Sequence, residues 1–482
     1  MAYAYSERLS ATDALFLEIE DPAVHMHVGA VALFESEPLR NAAGHLDIER
    51  LHTFIDRALF ASPRCRQKLA WVPNFEHPVW VDDPRFNLDY HIRHTALPPP
   101  GDLRQLKRLA GRLASQKLDR DKPLWEMWIV EGLEDGRFAL VMKAHHCMVD
   151  GIAGVDLLAA LLRLEPDAEL PPERTWQPRP APGARRLLAE EVAHRASLPF
   201  DMLRAAPGTL LRPDRLVASL RESALAIGET VGAGLAPTTS TPFDADLGPY
   251  RRFDWVRIPR SGVAEIRKHF GGTLNDVVLT TVAGAVGRFV ARRGQELGPD
   301  DVFRVMVPVS VRSADERGHM GNRVVNFLAR LPVDERDPRR RLERTIETTR
   351  ALKRSRLREG AELLEDLADR TFDSIISEFV QLAAKTHAYN MVVTNVPGPP
   401  RPVYLLGARL TEIYPLVPLF SGQGAGIALF SYDGELCWGF NSDWDAFPDL
   451  HDFVEDVEKS FEELRSAAEH ASEGEAERAI RG

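Results

Sequence analysis

Hydrophobic and polar positions change period repeatedly along the chain, and each change marks an element. RFALVMKAHH, residues 137–146, carries Phe138, Leu140, Met142 and Ala144 on one side and Val141 on the other. Apolar residues on both faces predict a strand buried on both sides. If the extended conformation continued, His145 and His146 would point to opposite faces. The period then lengthens. In DGIAGVDLLAALLRL, Val155, Leu158, Leu161 and Leu162 recur at helical spacing, and Asp150 is placed to cap that helix. Further on, RRFDWVRIP, DVFRVMVPVSVR, VVNFLARLPV and NMVVTNVPGPP read as strands. A helix is predicted over 262–270, a long apolar one in TLNDVVLTTVAGAVGRFVARRG, and a charged amphipathic one in DPRRRLERTIETTRALKRSRLREG. GIALFSYDGELCWGF reads as a hairpin turning at Asp433 and Gly434. A helix over 450–468 would turn Phe453, Val457, Phe461 and Leu464 to a core.

Between these periodic stretches lie two boundaries. Residues 165–186 hold six prolines, at 166, 171, 172, 178, 180 and 182, and read as an extended linker or a strap across the surface. Residues 186–235 look like helices broken by Pro199, Pro207 and Pro213, and LAPTTSTPFDADLGPYRRF is a second loop-rich stretch. The expected division is 1–165 as a first domain, 166–245 as linker and broken helices, 246–470 as a second domain, and 471–482 as a polar tail that frays. The class is α/β, with mixed sheet and helices in each domain. A length of 482 residues makes two cores the default.

Charge narrows the function. With 60 Lys+Arg against 71 Asp+Glu the net charge is −11, which does not favour nucleic acid and gives no global attraction to anionic lipid. Three scattered cysteines, Cys65, Cys147 and Cys437, fit a reducing cytosol and form no metal-ligand spacing. MAYAYSERLSATDALFLEIED lacks the pattern of a secretory signal. No uncharged apolar run reaches the ~18 residues of a membrane span. The expected setting is cytoplasmic, with contact at most with a membrane or lipid-inclusion surface.

The candidate chemistry is HHCMVDG, residues 145–151. A strand delivers an imidazole to the end of a sheet, Gly151 lets the chain turn, and a helix leads away. One histidine then acts as general base on a hydroxyl or amine. No serine or cysteine nucleophile is paired with it, which favours direct transfer between two bound substrates over a covalent intermediate. Cys147 reads as a small buried filler. No metal is called for: adjacent histidines on opposite faces chelate poorly. TLND, residues 273–276, matches a capping box. PLWEMW, residues 123–128, reads as a strand entry with Trp128 in the core. NVPGPP reads as a turn, and SGQGAG leads into a strand, so it is a poor phosphate loop. The arginines at 251–252 and 339–341 suit CoA phosphates by type, yet such runs are more often solvated helix faces.

These stretches, with LSATDALFLEIEDPAVHMHVGAVALFE near the start and GIALFSYDGELCWGFNSDWDAFPDL near the end, resemble the bacterial wax ester synthase/diacylglycerol acyltransferase family. They occur in order from about residue 6 to 465. That family belongs to the CoA-dependent acyltransferase superfamily, with chloramphenicol acetyltransferase-like enzymes and peptide-synthetase condensation domains. The DFGWG motif of other branches is absent, as are carrier and adenylation domains. The resemblance implies two chloramphenicol acetyltransferase-like domains with an active-site tunnel between them. It implies that His146 is the base, deprotonating a long-chain alcohol or diacylglycerol that attacks acyl-CoA, to give wax ester or triacylglycerol. His145 and Asp150 would support the geometry, Asn275 and Asp276 would face the tunnel with Asn275 donating to the oxyanion, and Trp125 would support the tunnel wall. Acyl-CoA is a co-substrate, and no cofactor is implied. The alternatives are transfer to a polyketide- or peptide-type acceptor, and a non-catalytic lipid-binding protein of the same fold.

Overall fold

The computed structural model describes residues 4–148 apart from Glu76, and 160–166, 169–205, 237–310, 324–354 and 388–481. The first half runs β1 (Glu7–Arg8), α1 (Ala11–Glu18), β2 (His27–Phe34), α2 (Ile48–Ala58), β3 (Gln67–Trp71) and β4 (Pro78–Asp82). It continues with α3 (Leu88–His91), β5 (Ile92–Ala96), α4 (Leu103–Ala114), β6 (Trp125–Glu131) and β7 (Phe138–His145). Helix starts are set locally. Ser10 accepts from the Asp13 N–H at 3.0 Å, and Asp102 and Gln105 form a reciprocal capping box on α4. After α5 (Ala184–Ala205), the second half runs β8 (Arg251–Pro259), α6 (Arg260–Phe270), α7 (Leu274–Arg292), β9 (Phe303–Ser310), β10 (Val324–Leu331) and α8 (Pro338–Arg354). It ends with β11 (Met391–Pro397), β12 (Tyr404–Leu405), β13 (Ala408–Leu416), β14 (Ala425–Tyr432), β15 (Glu435–Asp443) and α9 (Leu450–Arg481).

Two mixed six-stranded sheets result, with strand orders β12-β13-β2-β7-β6-β5 and β10-β9-β11-β14-β15-β8, beside a small sheet β1-β4-β3. The hairpin β14–β15 turns at Asp433 and Gly434, whose φ of 44° and 83° are the two left-handed positions of a tight turn. Helix α7 packs in the second core with Val278, Val282, Val286 and Phe289 buried. Among the described residues it is the one helix long and apolar enough to cross a membrane, and 78% of the relevant window is buried inside the protein.

The second half does not keep to itself. Strand β13 pairs antiparallel with β2, from Leu410 opposite Phe34 to Leu416 opposite Gly29. The first sheet therefore draws two of its six strands from residues 404–416, so the sheets do not follow a linear split at 246–470. Behind β13 lies β15, and the approach is close. A Cβ on Gly439 would sit 1.9 Å from the Pro415 carbonyl oxygen, so only glycine fits. Helix α4 approaches β8 in the same way: a Cβ on Gly111 would lie 2.9 Å from the Arg251 carbonyl oxygen. Leu106, Leu113, Val31, Val141, Trp255 and Tyr414 form a shared core between the halves, with Trp255 stacked on Tyr414 at 4.9 Å.

Several expectations need correction. Arg251 is buried, not a solvated or phosphate-facing side chain; it donates to the carbonyls of Gly248 (2.6 Å) and Ala23, tying the halves together. Arg341 is buried as well. Helix α5 runs through Pro199 without a break, whatever an interior proline costs it. The tail is helical to Arg481, since its Glu, Ala and Arg residues are strong helix formers. Residues 169–183 have no regular structure and lie as a strap on the small sheet: Arg179 grips Asp82 through two nitrogens at 2.8 Å. Pro207, Pro213 and residues 150–159 of the helix predicted after the histidine pair fall outside the described residues; Ala160 and Leu161 are helical, while residues 162–164 have left the helix and Arg163 bridges to Tyr404.

Replacing Gly439 by Val should force β13 off β15. Overpacking of this kind costs roughly 1–3 kcal/mol, and a lower thermal midpoint than that of the parent chain, followed by circular dichroism, checks it.

Candidate active site

Strand β7 lies between β2 and β6, and its end is pinned from both sides. The His145 N–H donates to the Leu124 carbonyl at 2.9 Å, and the His146 N–H to the Met26 carbonyl at 2.7 Å. The strand stops there. Residues 146–148 form a tight 3-10 turn, so the extended alternation does not carry on to His146. The two imidazoles nevertheless have different surroundings. His145 is 1% exposed, and its Nδ1 accepts the Cys147 N–H at 3.1 Å. The proton of the neutral ring is therefore on Nε2, which faces Glu20 Oε2 at 3.8 Å. His146 is half-buried; the Phe16 ring of α1 lies over it, centroids 3.9 Å apart. Its Nδ1 is sealed and has no hydrogen-bond partner among the described residues.

Burial decides the charge state. Desolvation pushes His146 down from 6.5 to about 4. It takes His145 to about 3, with the Arg120 charge adding to the effect. His25 falls to about 4 through desolvation and then the Arg251 charge. His27 lies well below its ordinary value through desolvation and the Lys143 charge. All four are neutral at pH 7. Burial also raises the Cys147 thiol well above its usual value, which keeps it protonated and matches the filler reading.

Lys143 is 5% exposed, one turn of the pleat before the pair, and is satisfied by Glu126 at 2.9 Å and the Leu113 carbonyl at 2.8 Å.

At the start of α7 the capping box is formed. Asp276 Oδ2 accepts from the Thr273 N–H at 2.7 Å and from its hydroxyl at 2.8 Å, while Oδ1 accepts from the Thr349 hydroxyl of α8 at 2.6 Å. Both Asp276 oxygens are thus occupied in holding the helix start. Asn275 is half-buried, and its Oδ1 accepts from Asn395 Nδ2 of β11 at 2.9 Å. Trp125 is 1% exposed, donates to the Cys65 carbonyl at 2.8 Å and stacks on His91. It belongs to the first core and also borders a cavity of about 370 Å³ with Tyr90, Arg93, Lys117 and Glu126. A second cavity, about 510 Å³, lies between α6 and α9. Neither is lined by His146, so neither traces the expected tunnel. Asp150 and Gly151 lie outside the described residues. Among the described residues no three His, Cys, Asp or Glu side chains are placed to hold a metal ion.

Sequence reading passed over Phe16, Glu20, His27 and Arg120, and took Asn395 only as the start of a turn. One signal was present: in HMHVG the histidines at 25 and 27 alternate around Met26 just ahead of an apolar run.

Residues 9–278 match the wax ester synthase/diacylglycerol acyltransferase catalytic domain, and residues 320–465 match the WS/DGAT C-terminal domain. A Mycobacterium tuberculosis protein named as a diacylglycerol O-acyltransferase is 33% identical, with 98% of this chain and 93% of that protein covered. A second from that organism, named tgs1, is 30% identical, with 95% of each covered. The solved wax ester synthase/diacylglycerol acyltransferase from Marinobacter aquaeolei VT8 superposes with a TM-score of 0.68 at 25% identity, covering 96% of this chain and 99% of that one. Trichothecene 15-O-acetyltransferase from Fusarium sporotrichioides shares the fold, with a TM-score of 0.61 at 15% identity and 95% of each chain covered. With both halves of the chain matched in order, the protein is an acyltransferase and belongs to the wax ester synthase/diacylglycerol acyltransferase family.

Proposed function

We propose that the protein transfers a fatty acyl group from acyl-CoA to the hydroxyl of a long-chain alcohol or diacylglycerol, with His146 as general base and no covalent enzyme intermediate. The observation that carries this reading is the neutral, half-buried imidazole held at the end of β7, with Nδ1 sealed from solvent. A neutral ring is the form that accepts a proton. Its lowered basicity in the resting protein is offset as reaction proceeds, because a tetrahedral oxyanion forming beside it favours the imidazolium. The proton taken from the acceptor hydroxyl then passes to the departing CoA thiolate, so the ring returns to its starting state.

Asn275 is the proposed oxyanion donor. Asn395 donates to its Oδ1, which turns the Asn275 amide hydrogens elsewhere, with no partner for them among the described residues. Val396, next along β11, packs against the first core, so this end of the strand leans toward the half that carries His146. Asp276 supports that helix start as its cap, and Trp125 supports the first sheet from the core. Asp150 is assigned a supporting place in the turn by family pattern alone. The Mycobacterium tuberculosis relatives are named for diacylglycerol acyl transfer, which favours diacylglycerol as acceptor and triacylglycerol as product. A lipid acceptor also brings the protein to a membrane or lipid-inclusion surface.

Purified protein with acyl-CoA and a panel of alcohols, diacylglycerols and polyketide-type acceptors tests the assignment. His146→Ala should lower kcat by about 10²–10⁴-fold, and Asn275→Ala by about 10²–10³-fold, each with the fold intact by circular dichroism. Near-parental turnover in His146→Ala would remove the base assignment.

The pH dependence has a definite sign. With His146 shifted to about 4, kcat/KM should stay level as pH falls from 8 to about 5, then drop as the ring protonates. Stability should fail earlier. His25, His27, His145 and His146 bind protons less readily folded than unfolded. Their contribution is complete above the unfolded value near 6.5 and declines as pH falls toward 4, by up to about 1.4 kcal/mol per pH unit for each ring. Thermal midpoints across this range measure the decline, and brief pH jumps separate it from the activity limb.

A further inference from the structure

We propose that Glu20 is a positioning residue of this active site: its carboxylate, fixed by Arg120, orients the His145 imidazole and so the turn that presents His146. The inference rests on reading His146 as the base.

Glu20 follows α1, and its side chain is 3% exposed. Arg120 holds it firmly, donating to Oε2 from Nε at 3.0 Å and from a terminal nitrogen at 2.6 Å. The same terminal nitrogen donates to the Leu17 carbonyl at 2.8 Å. A buried carboxylate gripped through two nitrogens has one orientation, and losing its partner would strand a charge. That orientation turns Oε2 toward His145 Nε2 at 3.8 Å and Oε1 toward His27 Nε2 at 3.7 Å. His27 and His145 are direct partners across β2 and β7, so the carboxylate serves both strands at the point where β7 ends.

The consequence runs through a tautomer. His145 Nδ1 accepts the Cys147 N–H at 3.1 Å, and that bond spans His146. It exists only while Nδ1 is unprotonated. A carboxylate facing Nε2 stabilises the proton there and leaves Nδ1 as acceptor. Without the carboxylate, the ring is free to carry its proton on Nδ1, where it would face the Cys147 N–H donor to donor, and the turn loses its lock. A second route reaches the same place: Arg120, through Leu17, holds the end of α1, and the neighbouring Phe16 lies over the His146 ring. Glu20 touches neither the ring of His146 nor the acceptor hydroxyl in this scheme; it acts through His145.

Full-length Glu20→Ala and Glu20→Gln, assayed beside the parent and His146→Ala, test this. In Glu20→Ala, kcat should fall about 10–100-fold, the range typical of an orienting partner, with KM for acyl-CoA nearly unchanged. Glu20→Gln should restore most of the rate, because its amide oxygen can stay on Arg120 and still turn partial negative charge toward Nε2–H across the 3.8 Å between them. Histidine ¹⁵N spectra should show His145 with its proton on Nε2 in the parent and in Glu20→Gln, and a tautomer mixture in Glu20→Ala. Unchanged kcat in Glu20→Ala, a Gln variant as impaired as Ala, or an Nδ1-protonated His145 in the parent would each overturn the proposal. If Glu20→Ala does not fold, the parent and Gln spectra decide. Retained activity in His146→Ala would instead remove the base assignment, and the tautomer measurement would still report on Glu20.

Discussion

The site depends on how the hydrogen bonds of strand β7 run out. Inside the sheet, successive N–H groups of a strand turn to opposite neighbours. At its end this rule is still obeyed, with His145 bonded toward β6 at Leu124 and His146 toward the start of β2 at Met26. Both neighbours therefore fix the backbone of the pair before the chain leaves the sheet. The 3-10 turn that follows is short, and its first side chain is His146. The role of general base proposed for His146 needs a ring placed to within a fraction of an ångström. Here that precision comes from two strands that are themselves locked in register, His27 opposite His145 on one side and Trp125 opposite Ala144 on the other.

The register of β2 is held in turn by the crossing strand β13, which arrives from the second half of the chain. This is why the two sheets act as one frame. Strand β13 covers the edge of β2, its back lies against Gly439 of β15, and the stacked pair of Trp255 and Tyr414 closes the core between them. Buried Arg251 adds a polar tie from β8 to the loop before β2. The site proposed from His146 and Asn275 gains from such stitching, since groups drawn from two halves must keep their separation through the reaction.

Local features were legible in the sequence and distant ones were not. The capping box at Thr273–Asp276 and the turn at Asp433–Gly434 are written in three or four adjacent residues, and both form as read. The strand ending in two histidines was equally plain, because its apolar run has no competing period. What happens just past its end was not, since the His146 backbone turns on Met26, more than a hundred positions earlier. The same reason hides β13, whose partner β2 lies in the other half of the chain. It also hides Glu20 and Arg120, which are 100 positions apart. Arg251 looked like a surface charge because a sequence shows a residue's type and not its depth.

The buried histidines show what the arrangement gives up for placement. A ring kept neutral by desolvation is a weaker base at rest than one in water, and four such rings make the fold sensitive to acid. The exchange is favourable only if charge appears beside His146 during the reaction and not before. An acyl transfer through a tetrahedral oxyanion meets that condition, because negative charge on the substrate oxygen and positive charge on the ring arise together and vanish together. In the proposed scheme, a permanent carboxylate held against the His146 ring raises its basicity at rest and holds the imidazolium after the step, slowing return of the proton to the thiolate. Among the described residues, the Glu20 carboxylate faces His145 instead, a ring that in the proposed scheme does not turn over.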